Sequence, residues 1–352
     1  MKNNIDSLTS TRAFAASLVV IFHFSTKHTG LSFIDNILAN GNLAVSYFFV
    51  LSGYIMYVSY ENNKVSYKEF LKRRFARIIP LYWCALLLSS ILVGYAIMRG
   101  QILSYNFGTA FILNTTFLQC YFPKYIYTLN SPGWSLCVEM LFYLIFPFLL
   151  RLQQSRNKLF VILTIALYVL SIIIHNALNA AFGESVHVFS FYSPFLHLNQ
   201  FLIGMLGAQI FKGGIKAIPF QSALCFLAIV ILLNANIPLS AHDGLFAPIF
   251  MLLIGSLAIK EPKFLKIKPL VFLGEISYGI YILQRPIHDY FNILVKRMTI
   301  SPNLSFLLFF ILLLAVSAVL YYTVEKPCRK LINNLSTTQT FNKIYNWVYP
   351  IK

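Results

Sequence analysis

Charged residues are scarce in this chain, and acidic ones are scarcer still. Asp, Glu, Lys and Arg make up 11% of the 352 residues, against roughly 25% in soluble domains. So few charges, with 58% hydrophobic residues and a mean hydropathy of +0.70, could not cover the surface of a chain folded in water. The composition excludes an ordinary soluble domain and indicates a protein whose solvent is lipid.

The shortage of acidic residues leaves 28 Lys and Arg against 11 Asp and Glu, a formal net charge of +17. Nucleic-acid binding would need these cations gathered in one patch. They lie instead in short segments between apolar runs, which is how membrane proteins encode their topology. We therefore expect membrane lipids, and no nucleic acid, among the partners.

Several kinds of reactive site are also missing. The five cysteines form no Cys-x-x-Cys pair, and the sequence has no His-Glu-x-x-His, Walker-type loop or Gly-rich dinucleotide turn. We expect no disulfide framework, no metal site and no permanently bound cofactor. No small-residue cleavage site follows the first apolar run, so we expect that run to remain as a helix.

Long apolar runs dominate what is present. Segments of about 18–25 residues predict an all-α polytopic membrane protein with about ten transmembrane helices. They lie at 8–26, 38–60, 78–98, 134–151, 158–178, 192–211, 218–236, 243–259, 269–294 and 304–324. The run 107–120 is shorter, and we expect it to be a partial or re-entrant segment.

The basic residues give the orientation. With the N-terminus and the C-terminus both cytoplasmic, 21 Lys and Arg fall on the inner side of the ten spans and five on the outer side. A full span at 107–120 would place the basic loop 260–268 outside, so we reject it. We expect one membrane domain over residues 1–335 and a short cytoplasmic tail over 336–352.

Arg12 and His23 in the first span are functional candidates, because ionisable groups inside a membrane are costly. Their separation of eleven residues amounts to three helical turns plus about 20°, so both project from one face, about 16 Å apart along the axis. Arg12 would lie near the inner leaflet and His23 nearer the outer one. The spacing fits equally a snorkelling arginine and a hydrogen-bonded core histidine.

Glu139 is the third candidate. It lies about 7 Å below the outer end of the fourth span, which begins near Trp134. His23 lies about 22 Å from the inner end of a core about 30 Å thick, so the two depths agree. We expect Glu139 to orient the imidazole of His23 and to raise its basicity. The alternative is that Glu139 pairs with Arg12 or with a backbone group for structural reasons.

Arg74 and Arg77 stand at positions i and i+3 of the basic segment 72–77, so they would share one face of a helix. Two guanidiniums placed in this way suit a phosphate, and Arg73 belongs to the same segment. Such clusters also serve as topology signals or as contacts to lipid headgroups, and both interpretations stay open.

The second span contains small residues where helices can approach closely. Ser46, Ser52 and Gly53 lie within one stretch of eight residues. We interpret this stretch as scaffold around a site, with Ser52 as a supporting residue.

Six motifs, in order, resemble those of the acyltransferase-3 family of bacterial membrane O-acyltransferases, from about residue 7 to residue 330. They are Leu8-Thr9-x-x-Arg12 with Phe22-His23-Phe24; Ser46-Tyr47-Phe48-Phe49-Val50-Leu51-Ser52-Gly53-Tyr54; Arg74-Phe75-Ala76-Arg77 with Pro80-Leu81-Tyr82-Trp83; Trp134-Ser135-Leu136 with Glu139; Leu273-Gly274 with Ser277-Tyr278 and Tyr281; and Glu325-Lys326-Pro327-Cys328-Arg329. Six motifs in the family's order are far more specific than any one of them.

The resemblance implies a multi-pass enzyme of the bacterial inner membrane. Cytoplasmic acyl-CoA, usually acetyl-CoA, would be the donor substrate, and the acceptor would be a hydroxyl of a sugar or lipid-linked glycan on the outer side. The family's essential catalytic residue falls on His23, and the Arg12, Arg74 and Arg77 positions are associated with acyl-CoA. Direct transfer and a relay through an acylated enzyme both stay open.

The same resemblance makes three further motif residues, Trp134, Ser135 and Tyr278, expected supports of the site. It is incomplete in the ninth span, where the family often has His-Trp-Pro and this chain has Gln284-Arg285-Pro286. Some members also carry an esterase-like domain after the last span, which these 352 residues do not include.

Two other classes of function are weighed against acyl transfer. A transporter or flippase of glycan intermediates fits ten spans and intramembrane charges, but the chain shows no inverted repeat of broken helices. A membrane scaffold explains the fold, but it does not explain why Arg12, His23 and Glu139 occur together.

Overall fold

The chain folds into helices joined by short loops, and no strand occurs in the part that the structure describes. The computed structural model describes residues 5–26, 29–63, 65–102, 104–214, 217–235 and 244–335, with the backbone alone at 184–187. The predicted all-α class is confirmed. The helices are α1 (Asp6–Phe24), α2 (Ser32–Ala39), α3 (Leu43–Tyr60), α4 (Tyr67–Met98), α5 (Phe107–Thr115), α6 (Trp134–Ser155), α7 (Asn157–Phe182), α8 (Glu184–Tyr192), α9 (Pro194–Lys212), α10 (Gln221–Asn234), α11 (Ala247–Lys260), α12 (Lys268–Glu275), α13 (Ser277–Val295), α14 (Pro302–Leu320) and α15 (Lys326–Asn334). Short 3-10 turns lie at Gln119–Tyr121, Pro123–Tyr125, Ser131–Gly133 and Lys263–Lys266, and a π-helical turn lies at Tyr321–Glu325.

Six helical segments among the described residues are long and apolar enough to cross a membrane. They are Asp6–Phe24, Leu43–Tyr60, Tyr67–Met98, Ser131–Ser155, Asn157–Phe182 and Pro302–Asn334. α10 and α11 are apolar but shorter, and α9 and the α12–α13 pair occupy the remaining predicted spans. The count of ten and the cytoplasmic termini therefore stay predictions, and the tail 336–352 lies outside the described residues.

Burial separates the central helices from those that face lipid. In α3, 72% of the apolar window is buried, whereas in α7 and in the segment formed by α14 and α15 only 22% is buried. The outer face of α7 exposes Ile162, Ile165 and Val169, and α14 exposes Leu307 and Ile311. Exposed apolar surface of this extent requires a lipid environment.

α3 packs closely on α9 through two glycines. A side chain at Gly53 would collide with the carbonyl oxygen of Phe201 on α9, and a side chain at Gly204 would collide with the carbonyl oxygen of Val50 on α3. The predicted role of the small-residue stretch in close helix packing is thus confirmed at Gly53.

The ninth predicted span, 269–294, is two helices and not one. α12 ends at Glu275 and α13 begins at Ser277, whose hydroxyl donates to the carbonyl oxygen of Gly274 at 2.7 Å. Gly274 lies against the carbonyl oxygen of Thr9 on α1, where any side chain would collide. Hydropathy alone does not detect this break, because the run is apolar on both sides of it.

The segment before α6 turns into the bundle. α5 has nine residues, in agreement with a partial segment at 107–120, and Gln119 and Asn130 beyond it are fully buried. Gln119 donates to the carbonyl oxygen of Gly133 at 2.9 Å, and Asn130 donates to the carbonyl oxygen of Ile282 on α13 at 2.9 Å. α6 therefore begins among buried residues of the bundle.

Replacing Gly53 with Leu should destabilise the bundle by about 1–3 kcal/mol or more, because the new side chain meets the backbone of α9. Thermal unfolding of the purified protein in detergent should shift to lower temperature. Gly94→Leu on α4 is the matched control, because a side chain there meets nothing within 4 Å. Equal stability of the two variants would contradict the close α3–α9 contact.

Candidate active site

A cavity of about 280 Å³ lies between α1, α3, α4, α6, α12, α13, α15 and the π-helical turn. Seven side chains with opposite charges line it, although ionisable groups are costly inside a membrane bundle. They are Arg12, Arg74, Arg77, Arg329, Glu139, Glu275 and Glu325. Because these groups come from distant parts of the chain, the cavity is the strongest candidate for a functional site.

Aromatic side chains hold Arg74 in place. Its guanidinium donates to the hydroxyl of Tyr60 at 2.8 Å and lies 5.0 Å from the ring centroid of the same residue. The ring of Phe70 lies 5.8 Å away. Arg74 and Arg77 both line the cavity, so the prediction that they share one helical face is confirmed.

Three of the four guanidiniums have no protein partner. Within the described ranges, Arg12, Arg77 and Arg329 form neither a hydrogen bond nor an ion pair, and the ion pairs that do form involve other cations. These three arginines are half-buried, and a charge that lacks a partner is unfavourable inside a bundle. Guanidiniums are also the groups that bind carboxylate and phosphate with two parallel hydrogen bonds.

Two of the three carboxylates of the cavity bond to tyrosines. Glu139 accepts from the hydroxyl of Tyr143 at 2.7 Å, and Glu275 accepts from the hydroxyl of Tyr321 at 3.1 Å. Glu325 is 3% exposed, and its Oε2 atom has no partner. Since no carboxylate contacts an arginine directly and one positive charge is in excess, the cavity is suited to an anionic ligand.

Three of the predicted supporting residues also line the cavity, namely Ser52, Ser135 and Tyr278. The Ser135 hydroxyl donates to the carbonyl oxygen of Pro132 at 3.1 Å. The Tyr278 hydroxyl donates to the carbonyl oxygen of Ile78 at 2.8 Å, which ties α13 to α4.

The structure does not bring Arg73 and Trp134 to the cavity lining. Arg73 is held by Glu69, one helical turn earlier, at 2.9 Å. Trp134 packs edge-on against Phe49 and Tyr192, with ring centroids 6.0 and 4.8 Å away. Arg73 therefore belongs to an exposed charge cluster, and Trp134 belongs to the packed aromatic interior behind the cavity.

His23 lies in the last turn of α1, outside the cavity, and it is exposed. Its Nδ1 atom is 2.9 Å from Oε1 of Gln284 on α13. Arg12, eleven residues before His23 on α1, lines the cavity together with Tyr278 of α13. Both residues thus face α13, in agreement with the prediction that they project from one side of the first helix.

The predicted pairing of Glu139 with His23 is absent from the structure. Glu139 bonds to Tyr143 in the cavity that Arg12 also lines, whereas His23 bonds to Gln284. The depth argument failed because it took Trp134 as the outer end of the span, whereas Trp134 is buried together with the inserted segment before it. The alternative, Glu139 with Arg12, is closer to the structure, although the two charges share a cavity without touching.

Sequence reasoning gave no role to five residues of this site. Tyr143 follows Glu139 by four positions, a spacing that brings two side chains together on a helix. Glu325 and Arg329 were ionisable residues at the end of the last span, which was a usable signal. The other two, Glu275 and Tyr321, meet where the end of α12 faces the π-helical turn, and the sequence did not reveal that α12 ends there.

The described residues thus form a bundle of helices, six of them long and apolar enough to cross a membrane, with a charged cavity that His23 does not line. A family model described as an acyltransferase domain matches residues 5–322. The chain belongs to the acyltransferase-3 family, as its motifs indicated, and it is an acyltransferase.

Similar proteins carry related names. The acyltransferase MdmB of Streptomyces mycarofaciens is 26% identical over 93% of this chain and 92% of its own length. The O-acetyltransferase OatA of Staphylococcus aureus is 24% identical over 93% of this chain, but the match spans 57% of OatA. A putative acetyltransferase, ORF330 of Acidianus two-tailed virus, is 26% identical over 80% of this chain and 83% of its own length. No solved structure matches the chain.

Proposed function

We propose that this protein moves an acyl group, in the first instance acetyl, from cytoplasmic acyl-CoA to a hydroxyl of a cell-surface sugar or polysaccharide precursor. Membership of the acyltransferase-3 family supports acyl transfer. The name of its relative OatA, an O-acetyltransferase, supports an acetyl group and an oxygen acceptor. The single observation that carries the donor assignment is the set of three partnerless guanidiniums around the cavity.

The donor fits the cavity because acyl-CoA is a polyanion at one end and a neutral thioester at the other. Phosphate oxygens would complete the hydrogen bonds of Arg77 and Arg329 and interact with Arg74. Arg12 stands further along, on the helix that ends at His23, about 16 Å away along its axis. An extended thioester arm would follow α1 from the arginines towards the imidazole.

A second recess, of about 610 Å³, adjoins the donor cavity and is proposed to take the nucleotide end of acyl-CoA. Tyr60, whose ring lies beneath the Arg74 guanidinium, is part of its lining together with Tyr67, Phe70 and Arg151. The exposed ring of Tyr67, which can stack on a base, and a further arginine for phosphate suit this moiety, whereas Tyr60 and Phe70 are buried in the wall.

The chemical step uses His23 as a general base. The acceptor oxygen attacks the thioester carbonyl carbon, and Nε2 of His23 takes the hydroxyl proton as the new C–O bond forms. The tetrahedral intermediate collapses with cleavage of the C–S bond, and the imidazolium returns the proton to the departing CoA thiolate. The products are an ester and free CoA, and His23 is neutral again.

We propose that two aromatic side chains of the donor cavity lie on the path of the acyl arm to His23. Phe48 and Tyr281 line the cavity, with ring centroids 6.1 Å apart, and the Tyr281 hydroxyl donates to the carbonyl oxygen of Pro132 at 3.2 Å. Tyr281 precedes Gln284 by three residues, about 4.5 Å along α13. The acyl arm must displace these rings to reach His23, and between turnovers they would keep water from the thioester.

The mechanism requires a fixed orientation in the bacterial inner membrane. The basic start of α4 and the donor cavity must open towards the cytoplasm, where acyl-CoA is made. The His23 end of α1 must then face the outer side, where the sugar acceptor is found. The excess of basic residues on the predicted inner side supports this orientation.

Replacing His23 with Ala should lower acetyl transfer from labelled acetyl-CoA, in membranes that contain the native acceptor, by about 10²–10⁴-fold, because the general base is lost. His175→Ala is the control, since His175 bonds to Asn179 on the peripheral α7 and should be dispensable. Folded H23A protein working at the wild-type rate would contradict the mechanism. A wild-type protein that leaves acetyl-CoA untouched would favour the transporter alternative.

Replacing Arg77 with Ala should raise KM for acetyl-CoA by about 10–100-fold, as expected for one lost charge-assisted contact. Arg73→Ala is the matched control, because that guanidinium is half-exposed and bonds to Glu69, and its KM should change less than about threefold. The measurement is steady-state kinetics at several salt concentrations. Equal effects of the two variants would indicate that surface charge in general attracts the donor. That result would contradict the proposal that the cavity binds acyl-CoA.

Cysteine labelling should show which loops of the protein lie on the cytoplasmic side of the membrane and which lie on the outer side. A cysteine introduced at Lys263, in the exposed turn between α11 and α12, should react with a membrane-impermeant maleimide only after the cells are opened. A cysteine at Gln101, in the exposed loop after α4, should react in intact cells, with the unsubstituted protein as background. The reverse pattern would leave the donor cavity on the wrong side of the membrane.

A further inference from the structure

Gln284 is a fully buried polar residue that contacts the proposed catalytic base. It is 0% exposed and lies within α13, two positions before Pro286. Its Nε2 atom donates to the carbonyl oxygen of Tyr281 at 2.6 Å, and its Oε1 atom is 2.9 Å from Nδ1 of His23. One amide therefore links the backbone of α13 to the imidazole at the end of α1.

The first of these bonds fixes which way the amide points. A carbonyl oxygen can only accept, so the atom facing Tyr281 has to be the amide nitrogen. The amide oxygen then faces His23, and it too can only accept. Nδ1 of His23 must therefore carry a proton, and in the neutral imidazole the lone pair lies on Nε2.

The segment of α13 around Gln284 is held in place by a hydrogen bond from a neighbouring segment of the chain. Pro286 has no N–H, so the carbonyl oxygen of Ile282, four residues earlier, loses its normal helical partner. The amide of Asn130 in the inserted segment replaces it at 2.9 Å. Asn130 is fully buried, so this bond is shielded from water and holds α13 at the level of Gln284.

We propose that Gln284 is a positioning residue that holds His23 as the Nδ1–H tautomer with Nε2 directed to the acceptor hydroxyl. This inference rests on the proposed function, in which His23 is the base. The same amide oxygen stabilises the imidazolium after proton transfer, because a charged donor strengthens the hydrogen bond. Gln284 thus takes the orienting role that sequence analysis gave to Glu139.

The titration of His23 tests the proposal without any acceptor. Diethyl pyrocarbonate modifies neutral imidazole, and peptide mass spectrometry of the full-length protein in detergent gives the pH midpoint of modification at His23, which is exposed. Gln284→Glu should raise that midpoint by about one pH unit or more, because a carboxylate stabilises the imidazolium. Gln284→Leu should lower it, because the accepting oxygen is gone. The other charged residues and histidines described near this end of α1 are Arg285, His288 and Asp289 on α13 and Asp35 on α2. Lys27 and His28 follow in the sequence, outside the described residues, and all six are unchanged in every variant.

Gln221→Leu is the matched control. Gln221 is also buried, with an amide that donates to the carbonyl oxygen of Leu252 at 3.0 Å and accepts from the backbone N–H of Ile218 at 3.1 Å. Loss of that amide should leave the midpoint at His23 unchanged. The proposal is overturned if Q284E, Q284L and the wild type share one midpoint, or if Q221L shifts it as much as Q284L does.

Turnover of acetyl-CoA separates this inference from the proposed function. With acetyl-CoA as donor and a methyl glycoside as acceptor, Q284L should lose about 10–100-fold in kcat with KM for acetyl-CoA unchanged, as for other groups that orient a functional histidine. Q284E should recover part of that loss, with the acidic limb of its pH profile moved to higher pH. If the H23A variant turned over acetyl-CoA at the wild-type rate, the proposed function would be contradicted. If H23A were inactive and Q284L fully active, only the role of Gln284 would be contradicted.

Discussion

The hydrogen bond from Asn130 to the carbonyl oxygen of Ile282 is the interaction on which the rest of the site depends. In a bundle surrounded by lipid, a carbonyl freed by proline has to find another donor within the protein, because water is not available there. The segment before α6 supplies that donor, and to do so it must turn into the bundle. Its insertion starts α6 among buried residues of the bundle, where Glu139 lines the same cavity as Arg12.

Incomplete charge compensation explains why the cavity persists as a cavity. Had Glu139 and Glu275 paired with the arginines, the network would be closed and the space between the helices could be filled by apolar side chains. The carboxylates bond to Tyr143 and Tyr321 instead, which satisfies each acid without neutralising a guanidinium. The arginines keep their binding capacity at the expense of stability, as is common where a ligand completes a protein's interactions.

Much of the fold could be predicted from the composition and from the spacing of residues along helices, because apolar runs and helical spacing are local properties of the sequence. The apolar segments and the shared faces of Arg12 with His23 and of Arg74 with Arg77 followed from counting residues along helices. The partner of Glu139 could not be predicted in this way, because its depth depends on where α6 begins. That starting point is set by a tertiary contact to α13, and hydropathy does not record it.

A neutral amide beside His23 suits a residue that has to take up a proton. A carboxylate in its place would stabilise the imidazolium, which is the form that cannot accept a proton. Gln284 orients the ring without adding a charge next to it. The chain thus separates two electrostatic tasks along α1: cations gather in the cavity at Arg12 to hold an anionic donor, and an uncharged hydrogen-bond acceptor holds His23 for proton transfer.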